Sequence, residues 1–246
     1  MPSFAVILPA AGQSSRFGGP QKKPFLTLAG KAIWQHSAEL FWNRPDVRRV
    51  FIVVSPGDRE EFIGRHAGLC IAQNATIVTG GAERFESVAN ALAQIPDDID
   101  FVAIHDAVRP LLSSRSIDEV FAAAVEHGAA MLAVPVADTL KRVDSSTSRI
   151  VETVPRAGLW AAQTPQIFRR DWLLKAYAER GELGEAITDD AQLVEALGHP
   201  VFAVPGSPVN FKITTRADFA LAEQILKARR AESEPDARGT FDDDTP

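Results

Sequence analysis

The chain has 246 residues, 46% of them hydrophobic and 24% charged, with a formal net charge of −6; that is the composition of a globular protein and lacks the basic excess of a general nucleic-acid binder. The tail from Ala231 holds Glu232, Glu234, Asp236, Asp242, Asp243 and Asp244 against Arg238 alone, so the body is close to neutral. A single cysteine, Cys70, excludes an intrachain disulfide framework, and the lack of a long uncharged apolar run or a basic-then-apolar leader predicts a cytoplasmic protein with no membrane partner.

Apolar runs alternate with amphipathic patterns from the first residues to about 230. Strands are predicted over 4–8, 50–54, 75–78, 101–105, 129–134 and 201–204. Helices are predicted over 32–41, 59–64, 87–93, 116–127, 172–180, 189–197 and 216–230. Continuous apolar strands between amphipathic helices mean a mostly parallel sheet covered on both faces, a Rossmann-like α/β fold. Ligands of such sheets bind at the carboxyl ends of the strands. The expected organisation is one domain over 1–230 followed by a disordered acidic tail over 231–246.

The first strand leads into Pro9-Ala10-Ala11-Gly12, then Arg16, then a run of glycines and prolines ending at Lys23. Three small residues let a backbone approach a ligand, and N–H groups beside fixed cations suit a polyphosphate. Neither the P-loop nor the dinucleotide glycine fingerprint is present, which disfavours a dehydrogenase. On composition alone, a glycine-rich surface loop remains an equal reading.

The strand at 75–78 is followed by Thr79-Gly80-Gly81-Ala82-Glu83-Arg84-Phe85-Glu86-Ser87. Ser87 is placed to cap the next helix; the stretch is either a plain connection or a wall for a nucleobase. The strand at 101–105 ends in His105-Asp106-Ala107-Val108-Arg109-Pro110. Asp106 there suits a Mg²⁺ that also touches phosphate oxygens; the alternative is a structural pair with Arg109. His105, next to it on a strand, points the other way.

Residues 136–143 and 150–154 are β-rich and flank the polar stretch 144–148, a hairpin signal. A two-stranded ribbon is marginal alone, so an arm over about 136–158 predicts a second subunit to pack on, within reach of Arg156. Thr188 reads as a helix N-cap. Lys212, inside the apolar run Phe211-Lys212-Ile213, reads as a directed cation.

The ordered motifs Pro-Ala-Ala-Gly…Arg…Lys, Gly-Gly-x-Glu-Arg…Ser, His-Asp-Ala-x-Arg-Pro, Asp-Thr-x-Lys, Thr-Pro-Gln, Ile-Thr-Asp and Asn-x-Lys-Ile-Thr resemble the 2-C-methyl-D-erythritol 4-phosphate cytidylyltransferases of the non-mevalonate isoprenoid pathway. The resemblance implies CMP transfer from CTP to methylerythritol phosphate, with Mg²⁺, in a homodimer. It assigns Arg16 and Lys23 to the triphosphate and reacting phosphorus, and Ala10, Ala11 and Gly12 to triphosphate and ribose. Gly81, Ala82 and Ser87 face the cytosine, Ala107 the ribose and Asp106 the metal. Thr139, Lys212 and the partner's Arg156 hold the acceptor, with Thr164 and Thr188 as further members of that pocket. Pro24, Ala82 and Val209 depart from common family residues. Two other functions stay open on the sequence: a cytidylyltransferase for another polyol phosphate such as ribitol 5-phosphate, and an idle nucleotide-binding protein.

Overall fold

Strand β1 (Phe4–Pro9) is buried on both faces and lies inside a seven-stranded sheet. The computed structural model describes residues 1–12, 17, 22–180 and 187–233. A small antiparallel pair, β2 (Thr27–Leu28) and β3 (Lys31–Ala32), precedes helix α1 (Ile33–Trp42). Then follow β4 (Val47–Val54), α2 (Arg59–Ala72), β5 (Ala75–Thr79), α3 (Arg84–Leu92), β6 (Phe101–Ile104), α4 (Ser114–His127) and β7 (Ala129–Pro135). A ribbon of β8 (Leu140–Val143) and β9 (Ile150–Val154) leads to β10 (Trp160–Arg169), α5 (Arg170–Ala178), α6 (Asp190–Ala196), β11 (Phe202–Pro205) and α7 (Arg216–Ser233).

The sheet runs in the order β11-β7-β10-β6-β1-β4-β5. Every neighbouring pair is parallel except those of β10, which runs antiparallel to both β6 and β7. The mostly parallel α/β sheet expected from the sequence is present, with one long strand the sequence pattern did not reveal. The reason is chemical. β10 carries Gln163, Thr164, Pro165 and Gln166 in its middle, where its register against β7 shifts between Ala162 and Gln166 and the Thr164–Pro165 peptide is cis. Proline has no N–H for a ladder and is tolerated at such an irregularity.

The two faces of β1 show why an all-apolar strand is required. Phe4, Val6 and Leu8 pack on one side with Trp34 and Phe41 of α1, Phe62 of α2 and Phe121 of α4. Ala5 and Ile7 pack on the other with Val88 and Leu92 of α3, Leu173 of α5 and Val194 of α6. Full burial of each large side chain contributes about 1.5–3 kcal/mol. A third cluster, Leu28, Ile33, Val108, Leu111 and Ile213, lies under Ala222 and Phe219 of α7. α4 is stopped by Gly128 at φ +88°, where an added Cβ would run into the Trp172 ring.

Several boundaries differ from the sequence reading. α2 continues past 64 to Ala72, because Leu69 and Cys70 keep an inward stripe beyond Gly64. α3 begins at Arg84 and is capped by Glu83 in a reciprocal box with Glu86, so Ser87 lies within the helix and caps nothing. Asp189, not Thr188, caps α6, its carboxylate accepting from the Gln192 N–H. α7 runs to Ser233, three residues into the stretch expected to be tail; residues 234–246 lie outside the described residues. The β8–β9 ribbon forms its own two-stranded sheet, as the hairpin signal predicted.

Candidate active site

The carboxyl ends of β1, β5 and β6 converge on a cleft of about 350 Å³ lined in part by Ala11, Gly12, Lys23, Gly81, Ala82 and Ser87, with Arg84, Asp106 and Lys212. Its walls begin where two strands let go of the sheet. Ala10 N–H donates to the Val53 carbonyl at 2.8 Å, and Gly80 N–H to that of Val54 at 2.7 Å. These two bonds bring the Ala11 and Gly80 turns side by side. A Cβ on Gly80 would lie 2.7 Å from Ser87 Oγ and 2.9 Å from Ala11 Cβ, so no larger residue fits without movement. The Gly81 N–H donates to Ser87 Oγ (3.1 Å) and the Ala82 N–H to Glu86 Oε2 (2.7 Å).

Lys23 opens a short 3₁₀ turn, Lys23–Phe25, set up by Pro24 at its start. It is buried, and its ammonium donates to the Ile213 carbonyl at 3.3 Å. Asp106 is the second residue after β6. Its N–H donates to Thr164 Oγ1 at 3.0 Å, and its Oδ2 meets Lys212 Nζ at 3.0 Å and Arg109 Nε at 3.4 Å. Arg109 also donates to the Asn210 carbonyl at 2.7 Å. Burial alone would raise the Asp106 carboxyl, but the Lys212, Arg84 and Arg109 cations outweigh it and hold it well below the ordinary carboxylate range. The carboxylate is therefore ionised at neutral pH, and the pair with Arg109 coexists with a second one to Lys212.

Arg84 stands on the same wall with its guanidinium 2.7 Å from buried Asp190, which also accepts from the Tyr177 hydroxyl at 2.6 Å. Burial and the Asp190 charge both raise the Tyr177 pKa, so the phenol stays protonated and donates. The sequence reading gave Arg84 no role, although it lies inside the quoted Gly-Gly-x-Glu-Arg string. Its partners Asp190 and Tyr177 come from α6 and α5, far along the chain, and no local spacing signals them.

The remaining expected residues fall into three groups. Ala10, Ala107 and Thr164 are buried behind the cleft. Thr164 Oγ1 is shared between the Asp106 N–H and His105 Nδ1, and the Ala107 carbonyl accepts from Ser37 Oγ. Thr139 and Arg156 are exposed at the same end of the antiparallel β8–β9 ribbon, flanking the paired Leu140 and Val154, and Thr188 is exposed before α6; none of the three lines the cleft of its own chain. Arg16 lies outside the described residues. His105 is fully buried between Thr164 and the Arg109 carbonyl, and burial pushes it down to about 4.

Among the described residues no three Asp, Glu, His or Cys side chains gather into a metal cage. Asp106 is nonetheless compatible with Mg²⁺. Both of its named contacts fall on Oδ2, which leaves Oδ1 as the hard oxygen, and Mg²⁺ commonly takes one carboxylate and completes its shell with substrate phosphates and water.

The model of the family 2-C-methyl-D-erythritol 4-phosphate cytidylyltransferase matches residues 4–228. The chain is 44% identical to the protein of that name from Rhodopirellula baltica over 94% of this chain and 97% of that one. It is 41% identical to that of Bacillus velezensis over 92% and 96%. Among solved structures, the 2-C-methyl-D-erythritol 4-phosphate cytidylyltransferase of Thermus thermophilus superposes with a TM-score of 0.76 at 32% identity, covering 92% of this chain and all of that one (100%).

Proposed function

The chain belongs to the 2-C-methyl-D-erythritol 4-phosphate cytidylyltransferase family, and from that membership we propose how its own residues carry the reaction. The enzyme transfers CMP from CTP to 2-C-methyl-D-erythritol 4-phosphate, forming CDP-methylerythritol and releasing pyrophosphate, in isoprenoid precursor biosynthesis. An oxygen of the acceptor phosphate attacks the α-phosphorus in line, and the bond to the bridging oxygen of the β-phosphate breaks. The attacking oxygen is already ionised at pH 7, so no general base is needed. The protein has to align the two phosphates and to offset the charge that spreads over the α-phosphoryl oxygens.

The observation that carries the reading is the convergence of Lys23, Lys212 and Asp106 in one cleft, against the small-residue wall of Ala11, Gly12 and Gly81. Lys23, buried and aimed inward, meets the α-phosphoryl oxygens, with Arg16 on the same triphosphate. The N–H groups of Gly81 and Ala82 are already bonded to Ser87 and Glu86, which leaves carbonyl oxygens on this wall. Carbonyls match the exocyclic amino donor of cytosine and repel the carbonyl of uracil at the same position. Asp106 would hold Mg²⁺ on the triphosphate; bound there, the ion neutralises phosphate oxygens and acts as a Lewis acid. Lys212, whose Nζ stands 3.0 Å from Asp106 Oδ2, would face the acceptor phosphate.

Thr139 and Arg156 reach a site by a different route. The β8–β9 ribbon presents Val143, Ile150 and Val151 at about half exposure, 48%, 58% and 55%, a surface suited to a second copy of the chain. In the homodimer the arm of one protomer brings Arg156 and Thr139 to the acceptor side of its partner's cleft.

Site-directed variants test these roles through pyrophosphate release with CTP and methylerythritol phosphate. Lys23→Ala and Arg16→Ala should each lower kcat on the order of 10²–10³-fold with the fold intact, whereas Lys212→Ala should chiefly raise the KM for the acceptor. Near wild-type turnover in Lys23→Ala would remove that residue from the chemistry.

A further inference from the structure

Lys22 and Lys23 are adjacent cations that serve different places. Lys23 turns into the nucleotide cleft, while Lys22 lines a separate hollow with Asp58 and Phe62 on the other side of the segment. Lys22 Nζ lies 2.6 Å from Asp58 Oδ2 and 2.9 Å from Ser55 Oγ, and the Ser55 hydroxyl itself donates to the same Asp58 oxygen at 2.6 Å. Ser55 follows directly on β4, whose last residue, Val54, also accepts the Gly80 N–H that sets the base wall. Lys22 is extended (φ −70°, ψ 141°) and caps the 3₁₀ turn that Lys23 opens, its carbonyl accepting from Phe25 N–H at 3.0 Å.

We propose that Lys22 is a positioning residue: its ion pair with Asp58, buttressed by Ser55, ties the end of the nucleotide loop to the segment that follows the carboxyl end of β4 and so fixes where the Lys23 ammonium stands. The inference rests on the catalytic role assigned above to Lys23. Lys22 and Asp58 are each about three-quarters buried, at 26% and 24% side-chain exposure, so their ion pair is less screened than one in open solvent. A displacement of about 1 Å at a reacting group can cost as much as 10²-fold in rate.

A simple electrostatic role, in which Lys22 adds one more positive charge near the triphosphate, makes the opposite prediction for Asp58. Removing Asp58 would then free a cation and leave the rate unchanged or higher. The test is therefore a set of variants, Lys22→Met, Asp58→Asn, the two combined, and the exchange Lys22→Asp with Asp58→Lys, assayed for kcat and for the KM of each substrate. Positioning predicts that Lys22→Met and Asp58→Asn each lower kcat on the order of tenfold or more, that the combination is no worse than either, and that the acceptor KM stays put. It further predicts that Lys22→Met costs nothing additional in a Lys23→Ala background, because its effect passes through Lys23. Unchanged kcat in Asp58→Asn, or an undiminished loss from Lys22→Met when Lys23 is already absent, overturns the proposal. Wild-type protein without CMP transfer would instead break the catalytic reading itself. The urea midpoint of Asp58→Asn separates loss of positioning from loss of fold: a kcat loss matched by partial unfolding under assay conditions counts against positioning.

Discussion

At the scale of single residues, His105 and Asp106 show how neighbours on one strand end divide their tasks. Asp106 reaches the cleft as a carboxylate held ionised by cations, while His105 turns into the core as a neutral ring between Thr164 and the Arg109 carbonyl. The consequence is a pH-dependent stability. Burial sets the folded His105 pKa at about 4, below its ordinary 6.5. Between these values the unfolded chain binds the proton and the folded chain does not. Stability is thus complete above about pH 6.5 and is lost as pH falls toward 4, on the order of 3 kcal/mol for the whole interval. His36 and His66, also lowered by burial, act in the same direction. Asp106 adds nothing in this window, since its contribution disappears only below the ordinary carboxylate range. Urea unfolding should show a lower midpoint at pH 5 than at pH 7.5, with a flatter dependence in His105→Gln. Equal midpoints, or an unchanged slope in the variant, would show that the ring is protonated in the folded protein.

At the scale of elements, the contact between the β1–loop and β5–α3 turns is the tightest part of the cleft. Gly80→Ala puts a methyl group against Ser87 Oγ and Ala11 Cβ, both closer than van der Waals contact. We expect a loss of about 1–3 kcal/mol in stability, together with a several-fold higher KM for CTP as Ala11 is displaced; an unaltered KM would mean the two turns move independently. Much of this level was legible in the sequence, because apolar runs and paired glycines are local signals. What escaped had non-local causes. β10 is a strand because Ile167 and Phe168 fill core positions across from β6, although its own middle is polar and contains Pro165. Helix α3 starts three residues before Ser87 because Glu83 and Glu86 satisfy each other's backbone, a box that competes with the serine for the same N-terminus. The orientation of Arg84 is held by Asp190 of α6, itself bonded to Tyr177 of α5, both more than 90 residues away in sequence.

At the scale of the whole molecule, the sheet places Lys23, Asp106 and Lys212 at one end while Thr139 and Arg156 stand apart on the arm. In the homodimer proposed above, the cleft of one chain and the arm of the other would together make up one site. The arm's exposed valines and isoleucine give that second copy an apolar surface to cover, and cyclic symmetry would complete both sites at once. The most direct measurement of this account is a subunit-mixing experiment with Lys23→Ala and Arg156→Ala chains, co-expressed with different tags so that dimers form at random. Each parent homodimer should retain on the order of 1% of wild-type pyrophosphate release or less. In a mixed dimer one site regains both an intact cleft and an intact arm, so the random mixture should recover about a quarter of wild-type activity. Recovery no greater than that of the parents, in dimers shown to be mixed, would mean that Arg156 serves the cleft of its own chain or none at all.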